Sequence, residues 1–336
     1  MIRYATVGTN FIVEWFLKSA KACPGLHYSA AYSRSEDTAQ EFAARHGAGR
    51  FVTSLQELAE AEDVDAVYVA SPNSLHFEQA ALFLSHKKHV LCEKTITSNQ
   101  EELKRLLAIA EENGVIIMEA LRSVFLPSFD MIKENLGQLG TIRRVSLQYG
   151  KYSSRYDKFR QGIVENAFNP AFSNGALMDI GVYCVHELVK LFGRPEGIAA
   201  DSILLENGVD GAGTILARYE GMQAELLYSK IADNRIPSQI QGEDGTMVIR
   251  EDLTNPSVIE IWRRDGSKET LVPEGLEDPM LPEVQEWLRL MERGESAAVH
   301  NQYSLMELEL MDEVRRQLGI VFPADKEERW KKYQQR

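Results

Sequence analysis

Two separated groups of residues carry the types that proton transfer needs. The first is Cys92-Glu93-Lys94-Thr95, in which Lys94 follows the apolar run His89–Cys92. With that run as a strand of a parallel sheet, Lys94 stands at the carboxyl edge, where open α/β folds bind ligands. The second lies in Gly175-Ala176-Leu177-Met178-Asp179-Ile180-Gly181-Val182-Tyr183-Cys184-Val185-His186. There Asp179 and Tyr183 are four apart and share one helix face, with His186 one turn further along nearly the same face. Polar groups on an otherwise apolar helix need partners, supplied either by structural hydrogen bonds or by a ligand.

Anion-binding chemistry gathers near the amino terminus. Ile2–Val7 reads as a strand and runs straight into Gly8-Thr9-Asn10-Phe11-Ile12-Val13 and then a helix. The start of such a helix offers free N–H groups and a partial positive charge to a pyrophosphate. Gly8 supplies the tight turn, while Asn10 and Val13 stand at the second and third glycine positions of the full dinucleotide fingerprint. Asparagine tolerates left-handed backbone, so the turn is feasible. About one βαβ unit further on, Ser33-Arg34-Ser35 ends the second strand, where an acidic residue would bind the ribose hydroxyls of NAD. Arg34 suits a bidentate pair with a 2′-phosphate, and the hydroxyls of Ser33 and Ser35 add hydrogen bonds, which favours NADP.

The elements that must position these residues fall into two halves. Up to about Met118, short apolar runs alternate with stretches of helical period, the pattern of βαβ units around a parallel sheet. The strands are Ile2–Val7, Tyr28–Tyr32, Ala66–Ala70, His89–Cys92 and Val115–Met118. Helices are expected over Ser35–His46, capped by Ser35 and stopped at Gly47, and over Ser98–Asn113, stopped at Asn113 and Gly114. Beyond about Leu121 a helix and the strand Ile142–Tyr149 lead into an irregular polar and aromatic stretch, Gly150 to Asn174, long enough to suggest a functional loop. A helix from Ala176 to Phe192 follows. Then come the runs Ile203–Glu206, Gly213–Tyr219, Ala224–Lys230, Ser238–Gln241, Met247–Arg250 and Val258–Arg263. Their alternation and turns such as Glu243-Asp244-Gly245 predict a mostly antiparallel sheet. Two helices, Pro282–Arg293 and Tyr303–Leu318, close the chain.

Composition narrows the function classes. The 336 residues are 44% hydrophobic and 26% charged, enough apolar material for two packed domains and unlike a disordered chain. A net charge of −13 opposes wrapping a phosphate backbone or lying on an anionic membrane. Cys23, Cys92 and Cys184 are too scattered for a disulfide framework or a metal site and fit a reducing, cytoplasmic compartment. No run reaches the ~18 apolar residues of a membrane span, and the amino terminus does not read as a signal peptide.

The ordered set GTNFI, SRS, SPNSLHFEQA, EKT, MEALRSVFLP, LGTIRRV, NGALMDIGVYCVHELVKLFG and QGEDGTMVI resembles the Gfo/Idh/MocA oxidoreductase family across nearly the whole chain. The branch it most resembles holds dimeric dihydrodiol dehydrogenase, D-xylose dehydrogenase and glucose-fructose oxidoreductase. The resemblance implies an α/β protein in which residues 1–120 form an NAD(P)-binding Rossmann domain. Residues 121–336 then form a substrate-binding and oligomerisation domain, with a large open-faced sheet as a homodimer interface and the last helices packing back on the first domain. It implies that Lys94 is the catalytic lysine, in an Glu-Lys-Pro motif whose proline is Thr95 here. Asp179 and Tyr183 match the family's Asp followed four residues later by His or Tyr. Ser71, Pro72, Asn73 and His76 match the nucleotide-contacting segment after the fourth strand. Gly8, Thr9, Asn10, Phe11, Ile12, Ser33, Arg34, Ser35, Glu93 and Lys94 complete the expected cofactor contacts.

The implied reaction moves a hydride between NADP, or NAD, and a sugar, polyol or trans-dihydrodiol. Free tyrosine, with a pKa near 10, is a poor base at neutral pH, but a nearby ammonium stabilises the phenolate. Tyr183 is then the proton-transfer group and Lys94 its cation, with Asp179 orienting the lysine or holding a second substrate hydroxyl. His186 is the alternative base, since its reference pKa of about 6.5 needs no tuning. Lys151, Tyr152, Arg155, Arg160 and Asn169 of the long loop offer hydrogen bonds and Phe159 and Phe168 apolar faces to a substrate, the alternative for each being a loop that merely covers the sheet. A catalytically silent NAD(P)-binding sensor is the competing reading, because fold alone does not fix function.

Overall fold

The computed structural model describes residues 1–275 and 277–326. In chain order the elements are β1 (Ile2–Val7), α1 (Phe11–Lys21), β2 (Leu26–Tyr32), α2 (Glu36–His46), β3 (Arg50–Val52), α3 (Leu55–Glu60), β4 (Ala66–Val69), α4 (Asn73–Ser85), β5 (His89–Glu93), α5 (Gln100–Asn113) and β6 (Ile117–Ala120). Next come α6 (Pro127–Asn135), β7 (Ile142–Gly150), α7 (Ser154–Phe159), a π-turn (Leu177–Gly181) and α8 (Val182–Phe192). The strands β8 (Gly197–Leu204), β9 (Asp210–Tyr219), β10 (Met222–Ser229), β11 (Ser238–Gly242), β12 (Gly245–Arg250), β13 (Val258–Arg263) and β14 (Lys268–Leu271) follow, then α9 (Leu281–Arg293), α10 (Ala298–Leu318) and α11 (Pro323–Lys326). None of these helices is long and apolar enough to cross a membrane.

Among the described residues the chain forms two compact units, Met1–Ala120 with Met280–Gln302, and Leu121–Pro279 with Tyr303–Lys326. The segment Met280–Gln302, which carries α9, groups with the first unit. The reason is apolar burial. Trp287 of α9 is fully buried beside Phe16 of α1, ring centroids 6.3 Å apart, and Phe16 stacks on Tyr68 of β4 at 3.9 Å. Taking such a ring out of water contributes about 1.5–3 kcal/mol.

The first unit is a six-stranded parallel sheet in the order β3-β2-β1-β4-β5-β6. The reversal of strand order between β1 and β4 is the switch point at which doubly wound sheets open a crevice at their carboxyl edge. Five of the six strands are legible as apolar runs. The edge strand β3 is three residues long and begins with the charged Arg50, too short and mixed to show a pattern. Ser35 caps α2 by accepting from Thr38 N at 3.4 Å, and Gly47 closes it in left-handed backbone, φ 77°. In α5 the cap is Asn99 rather than Ser98, whose own amide donates to Glu102 Oε2 at 3.0 Å.

The second unit is an eight-stranded sheet in the order β14-β13-β12-β11-β7-β10-β9-β8. Every neighbouring pair is antiparallel except β7 with β10, which run parallel. Alternate residues, among them Val145, Leu147, Ile215, Ala217, Ala224, Leu226 and Ile240, share one apolar core with Val182, Val185 and Leu188 of α8. Two sequence expectations shift here. The run read as Ile203–Glu206 belongs to a strand that ends at Leu204, with Leu205 N turning back to Val209 O at 2.8 Å, and β14 carries no apolar run to announce it. The stretch from Gly150 to Asn174 is not structureless, for it contains α7 and short 3-10 turns at Asn166–Phe168 and Pro170–Phe172.

Candidate active site

The β1–α1 turn is built around Gly8. Its φ is 118°, and a Cβ there would lie 2.9 Å from the carbonyl oxygen of Ala70 at the end of β4. Only glycine lets the two strand ends approach this closely. Asn10 then caps α1, accepting from Ile12 N at 3.1 Å and Val13 N at 3.3 Å and donating through Nδ2 to Ala70 O at 3.3 Å. The Asn10 carboxamide thus takes two of the N–H groups that the helix start was expected to present. Gly8 and Thr9 ahead of that cap, Asn10 itself and Phe11 at the start of α1 follow the carboxyl end of β1 at the switch point. A turn that tolerates no Cβ, at the head of an α-helix, fits a dinucleotide pyrophosphate.

At the end of β2, Arg34 is exposed between two serines with local duties. Ser33 Oγ accepts from Ser35 N at 3.4 Å, and Ser35 Oγ caps α2. After β4, Ser71 Oγ donates to Gln79 Oε1 at 2.8 Å, Pro72 precedes α4, and Asn73 begins it, nearly buried. His76 is a correction. It is sealed from solvent, with Nδ1 3.0 Å from Thr95 O and Nε2 2.8 Å from Ser71 O, so it offers no nitrogen to a nucleotide. Burial holds its pKa below the ordinary histidine value, against the pull of the carbonyls. The side chain ties the segment after β4 to the segment that carries the lysine.

Lys94 sits half-buried at the end of β5, joined to Thr95 by a cis peptide. Glu93 faces inward rather than toward a cofactor, because its carboxylate accepts from the buried Tyr68 hydroxyl and from Lys94 N at 3.3 Å. On the far side of the turn Ile96 N donates to Glu119 Oε1 at 2.9 Å. The backbone around Lys94 is thus pinned by His76, Glu119 and Tyr68, all within the first unit.

In the second unit Asp179 and Tyr183 occupy the junction between the π-turn and α8. The wider turn means the two do not stack as on a regular α-helix, yet both keep partial exposure. Tyr183 packs edge-on against Tyr149 of β7, centroids 5.5 Å apart. His186 is buried instead, with Nδ1 2.6 Å from Glu307 Oε2 of α10. Asp179 Oδ2 lies 2.5 Å from Nζ of Lys230, the residue after β10. The π-turn is held at its start by Asp210, which accepts from Leu177 N at 2.7 Å and whose carboxylate would meet any Cβ on Gly175 at 2.2 Å. Burial pushes the Asp210 carboxyl up to about 6, with the backbone N–H of Leu177 pulling the other way.

Several loop residues named in the sequence do structural work. Asn169 accepts from Ala171 N at 2.9 Å, and Tyr152 donates to Asp157 Oδ1 at 2.6 Å. Arg155 pairs with Glu165 at 3.7 Å. Phe168 is fully buried with Ala167 and Val209, and Phe159 packs against it, so neither ring is a bare apolar face. Sequence reasoning missed Lys230 and Asp210. A signal for Lys230 exists, since Ala224, Leu226, Tyr228 and Lys230 are buried at every second position and place a lysine on the core face.

A six-stranded dinucleotide-type sheet followed by a large open sheet defines a two-unit oxidoreductase architecture. Residues 2–121 match the Gfo/Idh/MocA oxidoreductase family, NAD-binding Rossmann fold, and residues 132–248 match the Gfo/Idh/MocA C-terminal domain. The chain is 46% identical to scyllo-inositol 2-dehydrogenase (NADP(+)) IolU of Bacillus subtilis (strain 168), over 97% of this chain and 99% of that protein. It is 30% identical to trans-1,2-dihydrobenzene-1,2-diol dehydrogenase of Danio rerio, over 96% and 99% of the two chains. Among solved structures, KijD10, a 3-ketoreductase from Actinomadura kijaniata in complex with NADP and TDP-benzene, superposes with a TM-score of 0.83 at 27% identity, covering 94% of this chain and 97% of that one. The chain belongs to the Gfo/Idh/MocA oxidoreductase family.

Proposed function

We propose that the protein is an NADP-dependent dehydrogenase that interconverts a ring CH–OH and its ketone on a cyclic polyol or a related sugar or dihydrodiol. The observation that carries this reading is the exposed Arg34 at the end of β2, on the same sheet edge as the Gly8 turn and with no acidic side chain in the Ser33-Arg34-Ser35 segment. A guanidinium there pairs with a 2′-phosphate, whereas an acid would select the free ribose. The similarity to an NADP(+)-dependent inositol dehydrogenase over nearly both whole lengths supports it, as does the dihydrodiol dehydrogenase. Scyllo-inositol and dihydrobenzenediol share a six-membered ring with adjacent hydroxyls.

NADP, when bound, supplies the hydride chemistry. The chain supplies position and proton transfer. Gly8, Thr9, Asn10, Phe11 and Ile12 take the pyrophosphate, Ser33, Arg34 and Ser35 the 2′-phosphate, and Ser71, Pro72 and Asn73 line the crevice beside β1. Tyr183 takes the hydroxyl proton during oxidation and returns it during reduction, Lys94 contributes the positive charge that favours phenolate, and Asp179 holds a neighbouring substrate hydroxyl. The test is the nicotinamide absorbance change of the purified protein with NADP or NAD against inositols, aldoses and trans-dihydrodiols. Turnover of a cyclic polyol with NADP supports the reading; tight NADP binding with no turnover across the panel overturns it in favour of a sensor.

The outer face of the second sheet supports a homodimer. Ile203, Leu216 and Trp262 point away from the core and are each more than two-fifths exposed. A second copy of the same face would cover them, and sedimentation velocity of a Leu216→Lys variant tests this by its conversion to monomer.

A further inference from the structure

Lys230 is among the most buried charges of the second unit, with its side chain 3% exposed. Its ammonium meets Asp179 Oδ2 at 2.5 Å, donates to Ala167 O at 2.9 Å and lies 4.7 Å from the centroid of the Phe168 ring. Its main chain is equally committed, with N donating to Gly211 O at 2.9 Å and O accepting from Ser153 N at 2.9 Å. One residue thus joins β9, the entry of the Gly150–Asn174 loop, the middle of that loop and the π-turn. An ammonium buried this far from water persists only when opposite charge and acceptors surround it. The Asp179 carboxylate, the Ala167 carbonyl and the π face of Phe168 meet that requirement from three sides.

We propose that Lys230 is a positioning residue that fixes the Asp179 carboxylate and, through the same ammonium, clamps residues 167–168, so that the π-turn and the substrate loop move as one piece. This rests on the reading of Asp179 as a substrate-hydroxyl partner given above. An untethered Asp179 would swing on its χ angles, and an untethered loop would leave the substrate less firmly held. Misplacement of that order costs about 100-fold in rate. A methionine fills the space of Lys230 but removes the ammonium's hydrogen bonds to the carboxylate and the carbonyl.

The test uses the full-length Lys230→Met, Lys230→Arg and Asp179→Asn proteins and the Lys230→Met/Asp179→Asn double variant. The Met variant is expected to lose about 100-fold in kcat/KM for the polyol, with NADP affinity unchanged, and Arg to recover part of the loss. The double variant should be no worse than the poorer single one, since the two residues act as a unit. Wild-type kcat/KM in a folded Met variant, or additive losses in the double variant, overturns the proposal. A second readout needs no turnover. Hydrogen exchange of amides 166–172 and 177–181 should quicken in both the Met and the Asn variants; unchanged protection overturns the clamp. If the Met variant fails to fold, the Asn variant alone decides the exchange arm. Absence of polyol turnover in the wild type would sink the functional reading, while exchange still judges Lys230.

Discussion

The imidazole of His186 lies 2.6 Å from the carboxylate of Glu307, and both side chains are sealed from solvent. A ring held this way joins α8 to α10 inside the second unit. Tyr183, one turn earlier, keeps partial exposure beside Tyr149. Tyr183 and His186 thus stand in different surroundings on one helix.

Their separation is measurable. Tyr183→Phe should lower kcat by about 10²–10⁴-fold, the usual worth of a positioned proton-transfer group, with little change in melting temperature. His186→Gln should keep kcat within a few-fold and lose about 1–3 kcal/mol of stability by disturbing the buried pair. Steady-state kinetics and thermal unfolding of both variants decide it, and the reverse pattern would make His186 the base.

Glu187, also on α8, is fully buried near Ser123, Arg122, Lys190 and Asp252, and burial pushes its carboxyl up to about 8. The folded protein then holds this proton at pH values where the unfolded chain, titrating at the ordinary glutamate value of 4.5, has released it. Its contribution to stability therefore falls as pH rises from 4.5 to about 8, by at most about 1.4 kcal/mol per pH unit. Glu187→Gln, which cannot ionise, should be more stable than the wild type above pH 8 and should lack that decline. Denaturant unfolding at a series of pH values reads the difference, and parallel curves for the two proteins would contradict it.

Gly8 is bounded by its φ of 118° and by the Ala70 carbonyl, 2.9 Å from where a Cβ would sit. Gly8→Ala should cost about 1–3 kcal/mol of local strain and weaken NADP by about tenfold or more while leaving the second unit intact. Calorimetric titration with NADP, alongside unfolding, checks both parts.

Arg34 tests the cofactor preference by itself. Replacing it with alanine removes charge-assisted bonds worth about 1.5–3 kcal/mol, so NADP should weaken about 10- to 150-fold and NAD by no more than about twofold. Equal losses for the two nucleotides would remove the basis for choosing NADP.

Local pattern was enough to place the strands β1, β2, β4, β5 and β6 and the turn at Gly8, because buried parallel strands are short apolar runs and a tight turn needs a specific residue type. The same local signals placed Lys94 at a carboxyl edge and Asp179 with Tyr183 on one segment. Side-chain direction was beyond their reach. Whether His76 and Glu93 face a nucleotide or the interior depends on Thr95 O, Ser71 O and Tyr68, which are brought to them only by the packing of β4 against β5. The π-turn before α8 is anchored by Asp210, 33 positions from Leu177, while the capture of Asp179 by Lys230 and the burial of His186 against Glu307 join residues 51 and 121 positions apart. Such pairings are decided by which polar groups remain unsatisfied once the sheet has closed on its helix, a condition that belongs to the tertiary structure. The composition and motif order of the chain determined its class, and the tertiary structure decided which of its polar residues are taken up in buried pairs, because only packing brings their partners to them.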